Sequence, residues 1–559
     1  MANKGYKEKE FISKCENLSH DGKGCIKYNG HVGFFSNVLP GEEGKFVMTY
    51  YNSNQFYGYV KELTKVSPDR VKPRCPVYST CGGCALQHMN YQAQLDFKKN
   101  RVEECLKRIG GFKDIKVNDT VGMEEPYFYR NKIQMPIRLS KKGKIVSGFY
   151  QEKTHDITPI DKCYIENNDA DRILSSIKEV MKKVKVMPYD EDKRTGTIRH
   201  VLIRTSYHFD EIMVVLVCNQ DTFPGQKNFV KELTKVEPKI TTIVQNVNTR
   251  ATNVILGDKE RVLYGKGFIK DTLCGVTFKI SAKSFYQVNP LQTEKLYSHA
   301  IDLANLTGKE RVLDAYCGIG TIGLIASKKA KEVVGVEIVK EAVFDAKNNA
   351  KNNNINNASF YEGDAGQFIV KQKEQGISYD VVIMDPPRKG SDEAFLSTLI
   401  KTKPERVVYV SCDPSTLARD LKYLASSYSI ESITPFDMFP QTYHVETVVL
   451  LSHKSSEKHI NVKVDFETQE GKKFLDEVID AVDSRKEPER ASYPEIKEYI
   501  LNKYNVKVST LNIAQTKAKY GIIERECYNK PKDENSRQPK CTKEKEDMIV
   551  DALKHFKMI

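Results

Sequence analysis

The feature that most constrains this chain is a regular alternation of strand-like and helix-like segments between about Val262 and His453. Such an alternation is typical of βαβ units, whose strands pair into a mostly parallel sheet with helices packed on its faces. In an open sheet of this kind, ligands bind at the loops that follow the carboxyl ends of the strands. The sequence therefore predicts an α/β domain with a cleft along one sheet edge.

Three reactive side chains lie at the ends of apolar runs in this region. Asp385 and Cys412 follow runs that begin at Val381 and Val407, and Glu446 precedes a third run. Loops at one edge of a sheet converge, so a thiol and two carboxylates placed in this way can face one substrate. The alternative is a small buried Cys beside two acidic turn residues, which is the more common situation of a single Cys.

A glycine-rich turn after the strand-like residues 311–314 predicts a nucleotide-binding loop, with a helix following it to about Ala330. Gly318, Gly320 and Gly323 satisfy the pattern G-x-G-x-x-G. Glycines let the backbone turn tightly and approach a ligand closely. The motif alone is weakly specific, because it suits NAD and S-adenosylmethionine equally.

Two carboxylates extend this predicted cofactor cleft. Glu337 ends the run that starts at Glu332, where it can accept hydrogen bonds from a ribose diol, and Asp364 could accept the exocyclic amine of adenine. The thiol separates the two cofactors. An enzyme that transfers hydride needs no thiol at the position of Cys412, whereas an enzyme that methylates a pyrimidine needs one.

Carbon 5 of uracil is too weak a nucleophile to attack a sulfonium methyl group unaided. Addition of a thiolate to carbon 6 makes carbon 5 electron-rich, and a base must later remove the carbon 5 proton so that the thiol can leave. Cys412 and Glu446 suit these two roles. Since Asp413 does not favour a thiolate next to it, Arg388, Lys389 or the sulfonium itself must do so.

Five blocks of sequence resemble the RNA uracil-5 methyltransferases, in the same order, and the resemblance covers about residues 6–453. The blocks are Ser281–Asn289, Asp314–Thr321, Asp385–Gly390, Tyr409–Pro414 and His444–Glu446. The resemblance implies a Rossmann-like, S-adenosylmethionine-dependent catalytic domain. It also implies a cytoplasmic enzyme that forms 5-methyluridine in RNA.

The resemblance assigns roles to individual residues. Cys412 corresponds to the nucleophile and Glu446 to the base, and Phe285 could stack on a nucleobase. The implied contacts to S-adenosylmethionine are Gln287, Tyr316, Glu337 and Asp385. One departure is Asp413, where the family often has Asn, so a pyrimidine contact at this position would be altered.

Thirteen Cys, an odd number in a chain without a signal-peptide pattern, argue against a disulfide framework. Cys75, Cys81 and Cys84 form C-x5-C-x2-C, and Cys163 could supply a fourth ligand. Spacing leaves zinc, an iron–sulfur cluster and plain structural thiols open. The resemblance implies a [4Fe–4S] cluster, as in the ribosomal-RNA branch of the family, with a structural role.

An RNA partner is also suggested by charge. Lys and Arg number 87 against 74 Asp and Glu, a net charge of +13, which favours a polyanion but is short of a dedicated nucleic-acid binder. Arg130, Lys132, Arg199, His200 and Arg204 are candidate contacts to RNA phosphates and bases. The alternative for each is a solvated strand face.

Residues 6–66 predict a small antiparallel barrel, with a two-residue hairpin at Asn29 and Gly30. Its aromatic residues could bind oligonucleotides or form its core. They are Phe34, Phe35, Tyr50, Tyr51, Phe56, Tyr57 and Tyr59. The barrel resembles the TRAM domain. Because transfer-RNA members of the family generally lack this barrel and the cluster, the resemblance implies 23S ribosomal RNA as substrate, with tRNA as the alternative.

At 559 residues the chain predicts several domains. They are the TRAM-like barrel at residues 6–66, a β-rich iron–sulfur and RNA-binding domain at 67–92 and 126–270, the methyltransferase domain at 93–125 and 271–453, and a helical extension at 459–559. No apolar run approaches the roughly 18 residues of a membrane span, so a cytoplasmic location without membrane contact is expected.

The extension lies outside the resemblance. Helices at about residues 493–504 and 513–520 could form a helix-turn-helix carrying Lys517 and Lys519, or a small solvated appendage. Cys527 and Cys541 are too far apart to predict a metal site.

Two other functions fit parts of the sequence. An NAD-dependent oxidoreductase with an iron–sulfur centre would share the glycine-rich loop, and a non-catalytic RNA-binding assembly factor would share the basic character. The Cys412 and Glu446 pair argues against both.

Overall fold

The computed structural model describes residues 8–52, 54–151, 157–191, 193–250, 254–454, 493–520, 541–556 and 558. The chain forms two compact units, Met1–Ser455 and Ser456–Ile559. The finer division into domains stays a prediction. Each helix within the described ranges is too short or too polar to span a lipid bilayer.

Five strands close into a barrel at the start of the first unit, as predicted. They are β1 (Lys9–Leu18), β2 (Gly24–Tyr28), β3 (His31–Phe35), β4 (Glu43–Tyr51) and β5 (Gln55–Lys65), in the order β1-β2-β3-β5-β4. However, β3 and β5 pair in parallel where an antiparallel barrel was expected. Asn29 and Gly30 join β2 to β3 with φ values of 48° and 79°. Positive φ at both positions suits a tight two-residue hairpin, so this prediction is confirmed.

The aromatic residues of the barrel divide between its inside and its outside. Phe35 and Phe56 are fully buried in the core. Phe34, Tyr57 and Tyr50 occupy paired positions on three adjacent strands, with ring centroids 5.8 and 6.2 Å apart. The core alternative is therefore confirmed for Phe35 and Phe56, and oligonucleotide binding by the other rings stays a prediction.

A helix, α1 (Tyr91–Cys105), follows the cysteine-containing loop, and a π-helical turn extends it to Gly110. The left-handed Gly111, with φ 79°, ends it. Its buried face carries Gln94, Lys98 and Val102. Two of the three buried residues of this helix are therefore polar.

The central region forms a seven-stranded sheet in the order β12-β11-β10-β9-β6-β7-β8. Its strands are β6 (Lys132–Leu139), β7 (Ile145–Tyr150), β8 (Ile157–Pro159), β9 (Ile198–Thr205), β10 (Ile212–Cys218), β11 (Ile240–Val247) and β12 (Lys259–Tyr264). Two helices, α2 (Asn168–Lys183) and α3 (Gln226–Val236), pack on it around one apolar core. A hairpin of β13 (Ile269–Leu273) and β14 (Val276–Ile280) follows.

The second seven-stranded sheet has the order β17-β16-β15-β18-β19-β21-β20. Its strands are β15 (Arg311–Ala315), β16 (Glu332–Glu337), β17 (Ala358–Glu362), β18 (Val381–Met384), β19 (Arg406–Ser411), β20 (Tyr428–Phe436) and β21 (Glu446–His453). Only β21 runs antiparallel to its neighbours. The predicted α/β domain is thereby confirmed.

Helices cover both faces of this sheet, where two apolar cores form. They are α4 (Pro290–Ala304), α5 (Thr321–Ala326), α6 (Lys340–Asn352), α7 (Ala365–Glu374), α8 (Glu393–Thr402) and α9 (Pro414–Leu424). The helix after the glycine-rich turn ends at Ala326, four residues earlier than predicted.

In the second unit, α10 (Tyr493–Tyr504), α11 (Thr510–Lys519) and α12 (Lys543–His555) share a small apolar core. Lys517 is buried with its ammonium 4.6 Å from the Tyr493 ring, and Lys519 pairs with Glu546. Both lysines of the predicted helix-turn-helix therefore have partners inside this unit. This favours the other interpretation, a small helical appendage. Cys527 lies outside the described residues.

Candidate active site

The sheet brings the three reactive side chains to one edge. Asp385 follows β18, Cys412 follows β19, and Glu446 is the first residue of β21. Because β21 is antiparallel to β19, with Thr447 opposite Ser411, its start lies beside the end of β19. A carboxylate before one strand and a thiol after another therefore meet, as the sequence predicted.

A cavity of about 880 Å³ opens at this edge. Its lining includes all six predicted catalytic and cofactor residues, namely Gln287, Tyr316, Glu337, Asp385, Cys412 and Glu446. Cavities of about 300–1,000 Å³ hold drug-sized ligands. Phe285 also lines the cavity with 70% of its surface exposed, so its ring is free to stack on an entering base.

The glycine-rich turn forms one wall of the cavity. Tyr316, Gly318 and Gly320 have φ values of 63°, 54° and 80°. The Gly318 N–H donates to Glu337 at 3.1 Å, and the Val339 N–H donates to the other oxygen of that carboxylate at 2.9 Å. These bonds fix the carboxylate at the end of β16, and each of its oxygens retains a lone pair for a ligand hydroxyl.

Close packing behind the turn depends on Gly323. Its N–H donates to Asp314 at 2.7 Å, and an added Cβ would stand 2.6 Å from the same carboxylate oxygen. The third glycine of the motif therefore allows α5 to pack closely against β15.

Buried carboxyl groups dominate the electrostatics of the cavity. Burial raises the pKa of Asp314 and of Glu446 to about 8 and that of Asp385 to about 7. The negative charge of Asp385 adds to the rise at the other two, whereas Arg388 opposes it at Glu446. A cationic ligand in this cavity would favour the ionised carboxylates.

Burial is also the main influence on the Cys412 thiol, whose pKa it raises to about 12. Glu446, Asp385 and Asp413 raise the pKa further, and Arg388 lowers it. The sequence predicted that Asp413 disfavours the thiolate and that Arg388 favours it. Both effects on the Cys412 pKa have the predicted sign. In the ligand-free protein the sulfur is therefore a thiol.

Asp413 has a structural task that the sequence comparison missed. Its carboxylate caps α9, accepting from the N–H groups of Ser415 at 2.8 Å and Thr416 at 3.2 Å. Asp and Asn cap helices about equally well. The departure from the Asn common in the family therefore preserves the cap beside Cys412.

Two cavity residues, Phe439 and His444, had received no role. The His444 ring lies 4.3 Å from that of Tyr443 and 6.0 Å from that of Phe439. Burial, with Arg388 and Arg101 nearby, lowers the pKa of His444 to about 4, so it is neutral near pH 7. The block at His444–Glu446 was a usable signal for the histidine, but nothing in the sequence marked Phe439.

The four predicted metal ligands come together at a second place. Cys75, Cys81, Cys84 and Cys163 line one cavity of about 20 Å³, although Cys163 is distant in sequence. Burial raises the pKa of Cys84 to about 12. Among the described residues, however, no group of three or more His, Cys, Asp or Glu side chains is arranged to hold a metal ion. The iron–sulfur prediction is thus not confirmed.

Three of the predicted RNA contacts are wrong. Arg199, His200 and Arg204 are 5%, 7% and 3% exposed. The Arg204 guanidinium donates to the Ser284 carbonyl at 2.5 Å, and Arg199 donates to the Asn248 carbonyl at 2.9 Å. The three residues are buried because β9 lies in the middle of its sheet, where both faces are covered. Arg199 and Arg204 bond to neighbouring loops instead of facing solvent.

Comparison with known proteins adds to this geometry. Residues 90–454 match the sequence profile of the family described as tRNA (Uracil-5-)-methyltransferase. The chain belongs to this family. An uncharacterized RNA methyltransferase of Halalkalibacterium halodurans is 46% identical over 79% of this chain and 96% of that protein. One from Listeria innocua is 47% identical over 78% of this chain and 96% of that protein.

A solved structure is also similar over most of the chain. It is the Pyrococcus abyssi tRNA (uracil-54, C5)-methyltransferase in complex with S-adenosyl-L-homocysteine, 30% identical, with a TM-score of 0.64 over 79% of this chain and 100% of that chain. The chain is therefore an S-adenosylmethionine-dependent RNA methyltransferase. The oxidoreductase and the non-catalytic assembly factor considered from the sequence are wrong.

Proposed function

We propose that this RNA methyltransferase forms 5-methyluridine through a covalent bond between Cys412 and uracil carbon 6. One observation carries the proposal: the thiol of Cys412 and the carboxyl of Glu446 line the same cavity as the glycine-rich turn. Nucleophile, base and cofactor wall then face one volume, as a reaction among three groups requires.

The bond changes balance around one ring. The Cys412 sulfur adds to carbon 6, and the electron pair of the C5–C6 double bond moves toward the ring oxygen as an enolate. S-Adenosylmethionine would supply the methyl cation equivalent that carbon 5 takes up, as its sulfur–methyl bond breaks and a neutral thioether leaves. Glu446 then removes the proton from carbon 5, the double bond re-forms, and the carbon 6–sulfur bond breaks to return the thiolate.

Charges in the cavity support this order of events. Arg388 favours the ionised forms of both Cys412 and Glu446. A bound sulfonium adds positive charge to the same cavity and lowers both pKa values further. Cofactor binding therefore prepares the thiolate and the base together.

Four residues are proposed to contact S-adenosylmethionine, and their chemistry suits that ligand. Glu337 accepts hydrogen bonds at the end of β16, where a ribose diol would lie. The Tyr316 hydroxyl lies 2.8 Å from the Ser391 hydroxyl, which orients its ring in the cavity wall. Gln287 and Asp385 complete this set.

The proposed substrate is a uridine in 23S ribosomal RNA, in a single-stranded or loop region where turning a base out of its stack costs least. The proposal is supported by the resemblance of the barrel and cysteine-rich loop to the ribosomal-RNA branch. A uridine in tRNA is the second candidate. The similarity to the Pyrococcus abyssi protein, which is described as acting on tRNA, covers a larger part of this chain than residues 90–454, the part that matches the family profile.

We also propose that Cys75, Cys81, Cys84 and Cys163 bind a [4Fe–4S] cluster. The proposal is supported by a donor set of four thiols around one cavity. The ligands would tie the loop at residues 75–84 to the segment before α2. No redox step is part of the reaction.

One experiment tests the main proposal and separates the substrates. Purified protein is incubated with labelled S-adenosylmethionine and with transcripts of 23S rRNA and tRNA, and the nucleosides are analysed by mass spectrometry. We expect 5-methyluridine in the rRNA transcript. 5-Methyluridine in the tRNA transcript alone would mean that tRNA, and not 23S rRNA, is the substrate. A methyl group on ribose or on an exocyclic nitrogen would contradict the mechanism.

A further inference from the structure

Helix α1 is buried through side chains that are seldom buried. Gln94 is 1% exposed and Lys98 is fully buried, and Arg101 lies a turn further along, half-buried. Residues spaced by three and four positions share one helix face, so these three form a polar stripe. Buried polar groups are costly without partners. The partners of the stripe therefore show what it does.

Apart from the Met89 carbonyl just before α1, to which the Gln94 amide donates at 2.9 Å, the partners lie in one stretch of chain, the 437–443 segment between β20 and β21. The Lys98 ammonium forms an ion pair with Asp437, and neither side chain has exposed surface. The same ammonium donates to the Phe439 carbonyl at 3.2 Å. One buried cation thus holds two points of the segment.

Gln94 and Arg101 hold the rest of the 437–443 segment. The Gln94 amide donates to the Gln441 side chain and accepts from the Gln441 N–H, both at 3.1 Å. Gln441 has φ 70°, a conformation that is strained for a residue other than glycine. Arg101 donates to the Tyr443 carbonyl at 2.6 Å. The stripe thereby stabilises a bend that the segment would not adopt alone.

The segment leads directly to the base side of the active site. Phe439 is within it, His444 follows it, and Glu446 lies two residues further, and all three line the cavity. Cys412 is attached to a different element, β19. A shift of the segment would therefore move Glu446 and His444 relative to Cys412.

We propose that Gln94, Lys98 and Arg101 are positioning residues for the base step of methylation. They act through the 437–443 segment, and none of the three is among the residues that line the active-site cavity. The inference rests on the proposed function, because it takes Glu446 as the base. It gives α1, which precedes the catalytic sheet by about 200 residues in sequence, a direct part in the geometry of the active site.

A matched pair of variants tests this inference. Gln94→Leu removes both bonds to Gln441 and one to the Met89 carbonyl. Gln92→Leu alters an exposed amide that bonds to Asp96 on the same helix. Each is assayed with the transcript, 23S rRNA or tRNA, that the wild-type protein methylates. Since a displacement of about 1 Å can cost about a hundredfold in rate, kcat of Gln94→Leu should fall about tenfold or more. Gln92→Leu should match wild type.

A second readout separates positioning from general damage. A 5-fluorouridine transcript traps the enzyme after thiol addition and methyl transfer, because no proton remains for the base to remove. Gln94→Leu should therefore trap at the wild-type rate, keep the wild-type KM for S-adenosylmethionine, and accumulate covalent adduct on ordinary uridine RNA. A merely structural role would lower trapping and turnover together.

Lys98 needs a paired change, because Lys98→Met alone would leave Asp437 buried without its partner. The double variant Lys98→Met/Asp437→Leu should show the same split between trapping and turnover. Equal kcat for Gln94→Leu and Gln92→Leu, or parallel loss of trapping and turnover, would overturn the inference alone. A wild-type protein that forms no 5-methyluridine would overturn the proposed function with it.

Discussion

Two cavities in this protein are lined by thiols, and they differ in size and charge. The one at Cys412 measures about 880 Å³ and has Arg388, Asp385 and Glu446 in its wall. The one at Cys84 measures about 20 Å³ and includes apolar residues such as Phe149. The first can admit a nucleobase and a cofactor, whereas the second has space only for what its sulfur atoms bind.

Burial has the same effect on the sulfur atoms in both places. It raises the pKa of Cys412 and of Cys84 to about 12. The difference lies in what can change that pKa: a cationic ligand fits beside Cys412, and only a metal centre could act on the small cavity. The comparison teaches that the surrounding space and charge, more than the residue type, decide what a thiol can do.

The largest expected effect is the loss of the nucleophile. Cys412→Ala should reduce methylation below about one thousandth of wild type, because the reaction cannot begin without thiol addition. Trapping by 5-fluorouridine RNA should also disappear. Cys25→Ala, in the barrel, is the control and should remain active. Appreciable methylation by Cys412→Ala would show that Cys412 is not the nucleophile, and the functional difference between the two cavities would then be contradicted.

Removing the base should have a smaller effect on rate and a distinctive product. Glu446→Gln should slow turnover by about 10²–10⁴-fold, while thiol addition and methyl transfer continue. A protein–RNA adduct should therefore accumulate on a denaturing gel. Glu431→Gln, at an exposed position of β20, serves as control. Wild-type turnover, or the absence of an adduct, would remove Glu446 from this role.

The small cavity should respond in stability and metal content. Cys84→Ser should lose iron and melt about 5–10 °C lower than wild type, because metal binding stabilises the folded state. Cys218→Ser, at another buried thiol, should retain the iron. Elemental analysis of anaerobically purified protein provides the measurement. Zinc in place of iron, or equal iron in Cys84→Ser, would contradict the [4Fe–4S] proposal.

The smallest effect concerns pH. The pKa of Glu446 is raised from 4.5 to about 8, so the folded protein holds this proton more tightly than the unfolded chain does. The cofactor-free protein should therefore lose stability as pH rises from about 4.5 to about 8. Asp314 and Asp385 act in the same direction.

Urea unfolding at pH 5 and pH 8 measures this loss. Glu446→Gln should show a smaller decrease than wild type, since it has no proton to release at that position. Cys218→Ser should keep the wild-type decrease, because burial raises the pKa of the Cys218 thiol to about 12 and it stays protonated between pH 5 and pH 8. An unchanged decrease in Glu446→Gln would mean that its carboxyl is not buried as described.

Much of the active site was predictable, for reasons that particular residues illustrate. Asp385 and Cys412 follow apolar runs, and parallel strands bring such ends to one edge. Glu446 precedes its run, and it reaches the same edge because β21 is antiparallel to β19. The glycine-rich turn and Glu337 follow the same rule. These predictions needed only local patterns and one general property of sheets.

The predictions failed where burial depended on distant parts of the chain. Arg199 and Arg204 looked like exposed cations because charge alone gives no account of a central strand covered on both faces. Gln94 and Lys98 are polar residues of α1, yet with Val102 they form its buried face. Phe439 had no local signal at all.

By itself, the sequence determined the alternation of strands and helices in the catalytic sheet and the sheet edge at which Asp385 and Cys412 meet. The tertiary structure alone decided the sizes of the two cavities and the partners of the buried polar groups. Gln94 and Gln441, for example, bond across 347 positions of sequence. Local patterns reflect interactions between near neighbours, whereas a cavity or a buried pair depends on the simultaneous packing of several elements.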